Sequence, residues 1–415
     1  MIDAVQRNEL PVQHDRFGFR EFLDTSTERG YLYDVPLSEG IVGARIRRGK
    51  REFVNFASIS FMGFQEDPLI LDHFCRAATT YGIVTGGSRA TQGVGEPHAM
   101  LEACLSRITA REYTITFASG LLANIGFLNA MTTQFSFDEA CSIDNQDAVI
   151  VMDRNCHWSL WKGASHLKFG RTLLVFRHND PDHLETVLSR VRSSKKVVVF
   201  ESIYSSDGGI APIGALLDVC ERHHALSYVD DANGFMIYGR PERPYYTHYQ
   251  ELRRATFLMV SLSKAVGLEG GAISGPREYV QGFEALSGTS LFTAAIQPPT
   301  AATAAYLLDR LDQEPSLMNR YLARAANFRR RLLDKGFRLY DTESFIQSVF
   351  IGPDQTAEDV RRFLAAEGFA VPVFRYPAVR HGQAVIRLIL NSRHTDDDID
   401  RFIDTLLIAR QRYEF

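Results

Sequence analysis

Short apolar runs recur through the middle of the chain, each followed by a stretch long enough for a helix. They fall at residues 148–152, 172–176, 196–200, 226–229, 257–260 and 272–274. Most lie about 20–30 residues apart, which leaves room for a crossover helix between parallel strands. Alternation of this kind predicts βαβ units and a mostly parallel sheet. The run Val197, Val198, Val199, Phe200 is apolar at every position, as a strand buried on both faces requires. Ahead of this region Met100, Leu101, Cys104, Leu105 and Ile108 fall on one helical face. The C-terminal part reads differently, with strands at 348–351 and 385–390 around a helix at 357–366. A last helix opens with Thr395 as N-cap and then places Ile399, Phe402, Ile403, Leu406 and Leu407 on one stripe. The predicted organisation is an N-terminal arm (1–60), a large α/β domain (61–297) and a small α+β domain (298–415), divided near Pro298 and Pro299.

Composition narrows the function classes. The 415 residues are 45% hydrophobic and 23% charged, ordinary values for a folded globular chain. A formal net charge of -4 gives no reason to expect a nucleic-acid or anionic-membrane partner. The five cysteines include no C-x-x-C pair, so neither a zinc site nor a disulfide framework is expected. The first residues lack the basic-then-apolar pattern of a signal peptide, and no apolar run reaches the roughly 20 residues of a membrane helix. A cytoplasmic protein is expected.

Chemistry enters at the segment after the 257–260 run. Ser261 and Ser263 precede Lys264, and Gly267, Gly270 and Gly271 follow it. Small residues let a bulky cofactor approach the backbone, and a partly desolvated lysine forms a Schiff base with a carbonyl. Alone, such a lysine is more often a solvated loop residue. About 30 residues earlier, Asp230 ends an apolar strand, followed by Asp231, Asn233 and Gly234. An anion is what the pyridine nitrogen of pyridoxal 5'-phosphate (PLP) needs, because the protonated ring is the better electron sink. Ser119 and Gly120 open an apolar helix, and its first N–H groups suit a phosphate. His157 and Trp158 follow another strand, where a flat ring can stack on a cofactor. Each of these features is common in proteins that bind nothing; their combination is what points to PLP. Gly93 and Gly95 do not make a nucleotide-binding loop, since a third glycine and a preceding strand are missing. The basic run from Arg45 to Arg51 reads as a solvated hairpin.

The ordered set of segments resembles the α-oxoamine synthases of the fold-type I PLP enzymes. It comprises Gly86, Gly87, Ser88, Arg89 and Gly93, then His98 and Glu102, then 176–180, Glu201, Ser205, Asp207 and Pro212 with the lysine and aspartate motifs. The likeness runs from about Val54 to the last helix. Segments 157–164, 201–205 and 386–392 are similar to the quorum-sensing autoinducer synthases of that family. The resemblance implies a large domain with a mostly parallel seven-stranded sheet, a small α+β C-terminal domain, PLP as cofactor and no metal. It implies that Lys264 carries the cofactor and moves the α-proton, that Asp230 pairs with the pyridine nitrogen and that His157 stacks on the ring. Ser119, Gly120, Leu121 and Ser261 would hold the phosphate, with Ser205, Glu201 and Asn233 around the ring. Arg387 would grip the amino-acid carboxylate, a bidentate task suited to guanidinium, with Ile59, Ser88 and Arg89 also on the substrate side. The partners implied are an amino acid, an acyl-CoA or carrier-protein thioester, and a second copy of the chain sharing the active site.

Three positions depart from that pattern. Asn233 stands where the family has histidine, Ile59 where it has asparagine, and Ala295 where it has serine or threonine, with Thr293 two residues away. Asparagine offers hydrogen bonds but no charge, so the cofactor's tuning differs. The expected reaction is a decarboxylative condensation giving an α-aminoketone. A retro-aldol, elimination or other carbon–carbon bond-forming reaction on the same scaffold is the rival, and a binding protein without catalysis is the more distant one.

Overall fold

The computed structural model describes residues 15–29, 37–238, 247–376 and 378–415. Residues 1–14 of the expected N-terminal arm therefore lie outside the described residues. The strands are β1 (Arg45–Arg48), β2 (Arg51–Asn55), β3 (Tyr113–Phe117), β4 (Gln134–Ser136), β5 (Ser142–Asp144), β6 (Val149–Asp153), β7 (Leu173–Phe176), β8 (Lys196–Glu201), β9 (Leu226–Asp230), β10 (Phe257–Ser261), β11 (Gly271–Gly275), β12 (Ile346–Gly352), β13 (Phe369–Ala370), β14 (Val373–Phe374) and β15 (Ala384–Ile389). The helices are α1 (Phe19–Glu28), α2 (Pro68–Tyr81), α3 (Glu96–Thr109), α4 (Gly120–Met131), α5 (Trp158–Gly163), α6 (Pro181–Leu188), α7 (Ile213–Arg222), α8 (Thr247–Leu252), α9 (Arg277–Leu286), α10 (Gly288–Leu291), α11 (Pro298–Gln313), α12 (Pro315–Asp334), α13 (Asp354–Ala366) and α14 (Asp396–Tyr413). None of the described helices is long and apolar enough to cross a membrane.

Seven strands form the large sheet in the order β3-β11-β10-β9-β8-β6-β7. From β7 to β10 every neighbouring pair is parallel, whereas β11 runs antiparallel to both β10 and β3. All six predicted strands are present. Alternate residues feed two cores: Val198, Phe200, Val229 and Val260 face one side, and Val197, Val199, Tyr228 and Met259 the other. Apolar side chains on both faces are why these strands read as continuous runs.

Strand β3 was not predicted, because Thr114 and Thr116 interrupt its apolar run. Tertiary partners satisfy both hydroxyls: Thr114 Oγ1 lies 2.8 Å from Ser274 Oγ, and Thr116 Oγ1 donates to Glu102 Oε1 at 2.8 Å. Buried hydroxyls are tolerated only when bonded in this way.

In the C-terminal part, β12, β15 and β14 form an antiparallel sheet against α13. Thr395 caps α14 in a reciprocal capping box with Asp398, as the sequence predicts. The basic run forms the β1–β2 hairpin, and β2 pairs in parallel with β13, so the described end of the expected arm joins the C-terminal part. Arg45 bridges to Glu52 at 3.0 Å and to buried Asp398 at 2.6 Å. Helix α11 follows the predicted division at 298 but packs on α2 and α3.

Candidate active site

The parallel strands aim their C-terminal ends at one crevice, where an open α/β sheet places its ligands. Asp230 ends β9 and Glu201 ends β8, and the two residues are register partners. Asp230 is buried, and its carboxylate has two donors: Ala232 N to Oδ1 at 3.0 Å and Asn124 Nδ2 to Oδ2 at 2.8 Å. Asn124, on the second turn of α4, is itself fully buried. Its Nδ2 also donates to Ser159 Oγ at 2.8 Å, and its Oδ1 accepts from Tyr228 Oη at 2.7 Å. Ser159 Oγ in turn lies 2.8 Å from His157 Nδ1. One amide thus links the strand-end carboxylate to the ring that precedes α5.

His157 is exposed, and its backbone N–H donates to Glu201 Oε1 at 2.5 Å. Loss of hydration lowers the proton affinity of the ring; Asp230 opposes this, and Lys264 and Arg387 add to it. Burial raises the Glu201 carboxyl well above the usual range, with the Asp230 charge pushing the same way. Asp231, buried beside Asp230, is pushed up to about 8, chiefly by burial; Ser202 donates to its Oδ1 at 2.5 Å and opposes the shift.

Lys264 sits in the turn between β10 and β11. Gly267 closes that turn at φ 73°, where a Cβ would meet Ser60 Oγ at 2.7 Å, so only glycine fits. Lys264 Nζ donates to Asn233 Oδ1 at 2.7 Å, and Asn233 Nδ2 donates to Ile203 O at 2.9 Å. Burial lowers the lysine's proton affinity, and the Asp230, Glu201 and Asp231 carboxylates partly restore it.

Helix α4 begins against the backbone of β11. A Cβ on Gly271 would lie 2.6 Å from Gly120 Cα, so the helix start could not approach a larger residue. Ser119 caps the helix, its Oγ accepting from Leu122 N at 3.2 Å. The N–H groups of Gly120 and Leu121 precede the first internal bond, from Ala123 N to Ser119 O, and so are available to an anion. Ser261 Oγ lies 2.8 Å from Ser263 Oγ and close to where a Gly120 Cβ would be. A primary amine, a buried carboxylate, an exposed imidazole beside them and an anion-accepting helix start fit the four recognisable parts of PLP: aldehyde, pyridine nitrogen, ring face and phosphate.

Arg387, on β15, acts electrostatically on both Lys264 and His157. Its Nη1 donates to Ser205 O at 3.2 Å, its guanidinium lies 4.3 Å over Phe374, and its Nε has no acceptor. Among the described residues no carboxylate lies within ion-pair distance of it, and burial lowers it to about 10. Ile59 is 40% exposed in the segment before Ser60, whose carbonyl accepts from Asn391 Nδ2 at 3.0 Å. Ser88 bonds Thr91 within its own turn at 3.2 Å.

Arg89 is used differently from the expectation. It is buried and holds Glu102 Oε1 at 2.6 Å and Glu284 Oε1 at 2.8 Å, joining α3 to α9. With its fork committed to two carboxylates, it serves the fold and has no free face for a substrate carboxylate. Asn124, Ser159 and Tyr228 are the site residues to which sequence reasoning gave no role. Their only signal was a polar residue inside an apolar helix and a tyrosine two residues before Asp230.

Comparisons with known proteins agree with this geometry. The aminotransferase class I and II model matches residues 53–406. The 8-amino-7-oxononanoate synthase of Alcanivorax borkumensis is 30% identical over 371 residues, covering 89% of this chain and 92% of that protein. The 5-aminolevulinate synthase 2 of Cereibacter sphaeroides is 30% identical over 359 residues, covering 86% and 85%. Among solved structures, a serine palmitoyltransferase of S. paucimobilis with a bound PLP–myriocin aldimine superposes with a TM-score of 0.85 at 23% identity, covering 96% of this chain and 98% of that one. The chain belongs to the aminotransferase class I and II family, and within it to the α-oxoamine synthases, PLP enzymes of fold type I.

Proposed function

We propose that the chain is an acyltransferase that condenses an amino acid, or a related amine, with an acyl thioester and releases an α-aminoketone after decarboxylation. The observation that carries this is the Arg387 guanidinium, which has no carboxylate partner among the described residues and acts on the same Lys264 as Asp230. A buried cation without an anion is costly, and an incoming carboxylate removes the cost.

Bound PLP supplies the electron sink that stabilises negative charge at the carbon bearing the amine. The residues around it have separable tasks. Asp230, its carboxylate held by Asn124 and Ala232, would keep the proton on the ring nitrogen. His157 would lie against the ring, and Gly120, Leu121 and Ser261 would receive the phosphate. Arg387 would fix the substrate carboxylate and so orient the reacting α-bond. Lys264 Nζ takes the α-proton and returns one at the end. The new bond joins the α-carbon to the thioester carbonyl carbon; the thiol leaves, and the carboxylate departs as carbon dioxide. A homodimer that completes the site is part of this reading.

The test is to purify the protein with PLP and follow its absorption with a panel of amino acids and S-adenosylmethionine, with and without acyl-CoAs. A spectral response to one amino donor, followed by free thiol and carbon dioxide in equal amounts when a thioester is added, is the expected result. A response to the amino donor with no thiol release from any thioester would point to the rival PLP chemistry. Asn233 and Ile59 are the residues that favour this second reading.

A further inference from the structure

Asn233 has both ends of its amide committed, and the two partners fix which way it points. Ile203 O is an acceptor and can be met only by the amide N–H. Protonated Lys264 Nζ is a donor and is met by the amide oxygen. Turning the amide over would place N–H against N–H and oxygen against oxygen, so chemistry alone selects the orientation. The side chain is 4% exposed and cannot exchange these partners for bulk water.

We propose that Asn233 is a positioning residue for the lysine nitrogen, an uncharged acceptor that holds Lys264 Nζ in its proton-bearing form at the mouth of the crevice. This deepens the function proposed above and rests on it for the cofactor alone. The other groups that act on Nζ are titratable: Asp230 and Asp231 at the end of β9, Glu201 at the end of β8, Arg387 on β15, and the His157 ring beside them. Together they set a broad field, whereas the amide supplies a directed bond. A fixed acceptor favours the protonated nitrogen whenever the lysine is free, and the protonated linkage when it carries the cofactor. One N–H of the Asn233 amide is held by Ile203 O, and its oxygen is held by Lys264 Nζ.

The experiment reads the nitrogen's protonation in two ways. In the holoenzyme the protonated and unprotonated lysine–cofactor linkages absorb differently, so a pH titration gives a midpoint. In the cofactor-free protein the pH dependence of Lys264 labelling by a small amine-reactive reagent, located by peptide mass, gives a second midpoint. Removing the acceptor in Asn233→Leu lowers both midpoints by about one pH unit, a tenfold change in the equilibrium. Asn233→Asp keeps an acceptor and adds charge, so both midpoints rise. Opposite shifts from two changes at one position are not what a purely structural role produces. Midpoints equal to wild type in both variants overturn the proposal, and so does a wild-type holoenzyme crystal structure in which Nδ2, not Oδ1, faces the lysine nitrogen. A wild-type protein that binds no PLP overturns the cofactor reading, while the labelling titration still decides the role of Asn233.

Discussion

At the scale of single residues, the site depends on groups that never touch a substrate. Asn124 donates to Asp230, so its loss leaves a buried carboxylate with one donor fewer and the Tyr228 hydroxyl without its acceptor. A hydrogen bond to a charged group contributes about 1.5–3 kcal/mol, so Asn124→Leu is expected to weaken PLP binding at least tenfold, read by equilibrium dialysis. Unchanged affinity would show that Asp230 needs no help from this amide. Arg387 makes the complementary prediction. Arg387→Ala should raise KM for the amino substrate by about 10–100-fold while moving KM for the thioester little, because a bidentate carboxylate contact is lost. A change confined to the thioester KM would remove Arg387 from the carboxylate site.

Elements matter through what they hold in place. Helix α4 brings Gly120, Leu121 and Asn124 to the crevice, and the glycine at the start of β11 lets it lie close to the sheet. Helix α3 is locked to α9 by Arg89, whose side chain is 3% exposed, while Glu284 is 34% exposed. Breaking a buried pair costs about 3–5 kcal/mol, and the partly exposed Glu284 brings the expected cost of Arg89→Ala toward the lower end. The urea midpoint should fall, with the amino-substrate KM within about twofold of wild type. A raised KM with unchanged stability would restore Arg89 to the substrate side. Both glutamates lie well away from Arg89 in sequence, so only packing reveals that its fork is occupied. Strand β3 teaches the same lesson, since its threonines look exposed until Ser274 and Glu102 come alongside.

At the scale of the molecule, early and late chain segments are stitched together. Ser392 N donates to Phe61 O at 2.7 Å, and buried His394 lies between Asn391 N at 3.2 Å and Asn55 O at 3.2 Å, with its ring 4.4 Å from Phe56. Burial lowers His394 to about 4 from an ordinary 6.5, although Asp398 opposes the shift. Between those values the unfolded chain binds a proton that the native ring refuses, so stability falls as pH drops from about 6.5 to about 4. The loss approaches about 3 kcal/mol for this one group, and His394→Gln should flatten that part of the pH–stability curve in urea denaturation. An equally steep curve in the variant would assign the acid sensitivity to other groups. Light scattering of the holoenzyme tests the proposed homodimer.

The sequence alone determined the βαβ order, because strands buried on both faces must be apolar throughout, and it determined the cofactor motifs, because lysine, strand-end aspartate and small residues are local requirements. It also placed the Thr395 cap. Tertiary structure decided which polar groups meet. It set Asn124 against Asp230, gave Arg89 to two glutamates, turned the Asn233 amide toward Lys264 and joined the β1–β2 hairpin to β13. Those outcomes depend on donors and acceptors that lie far apart in the chain, and a hydrogen bond has a direction that no one-dimensional pattern records.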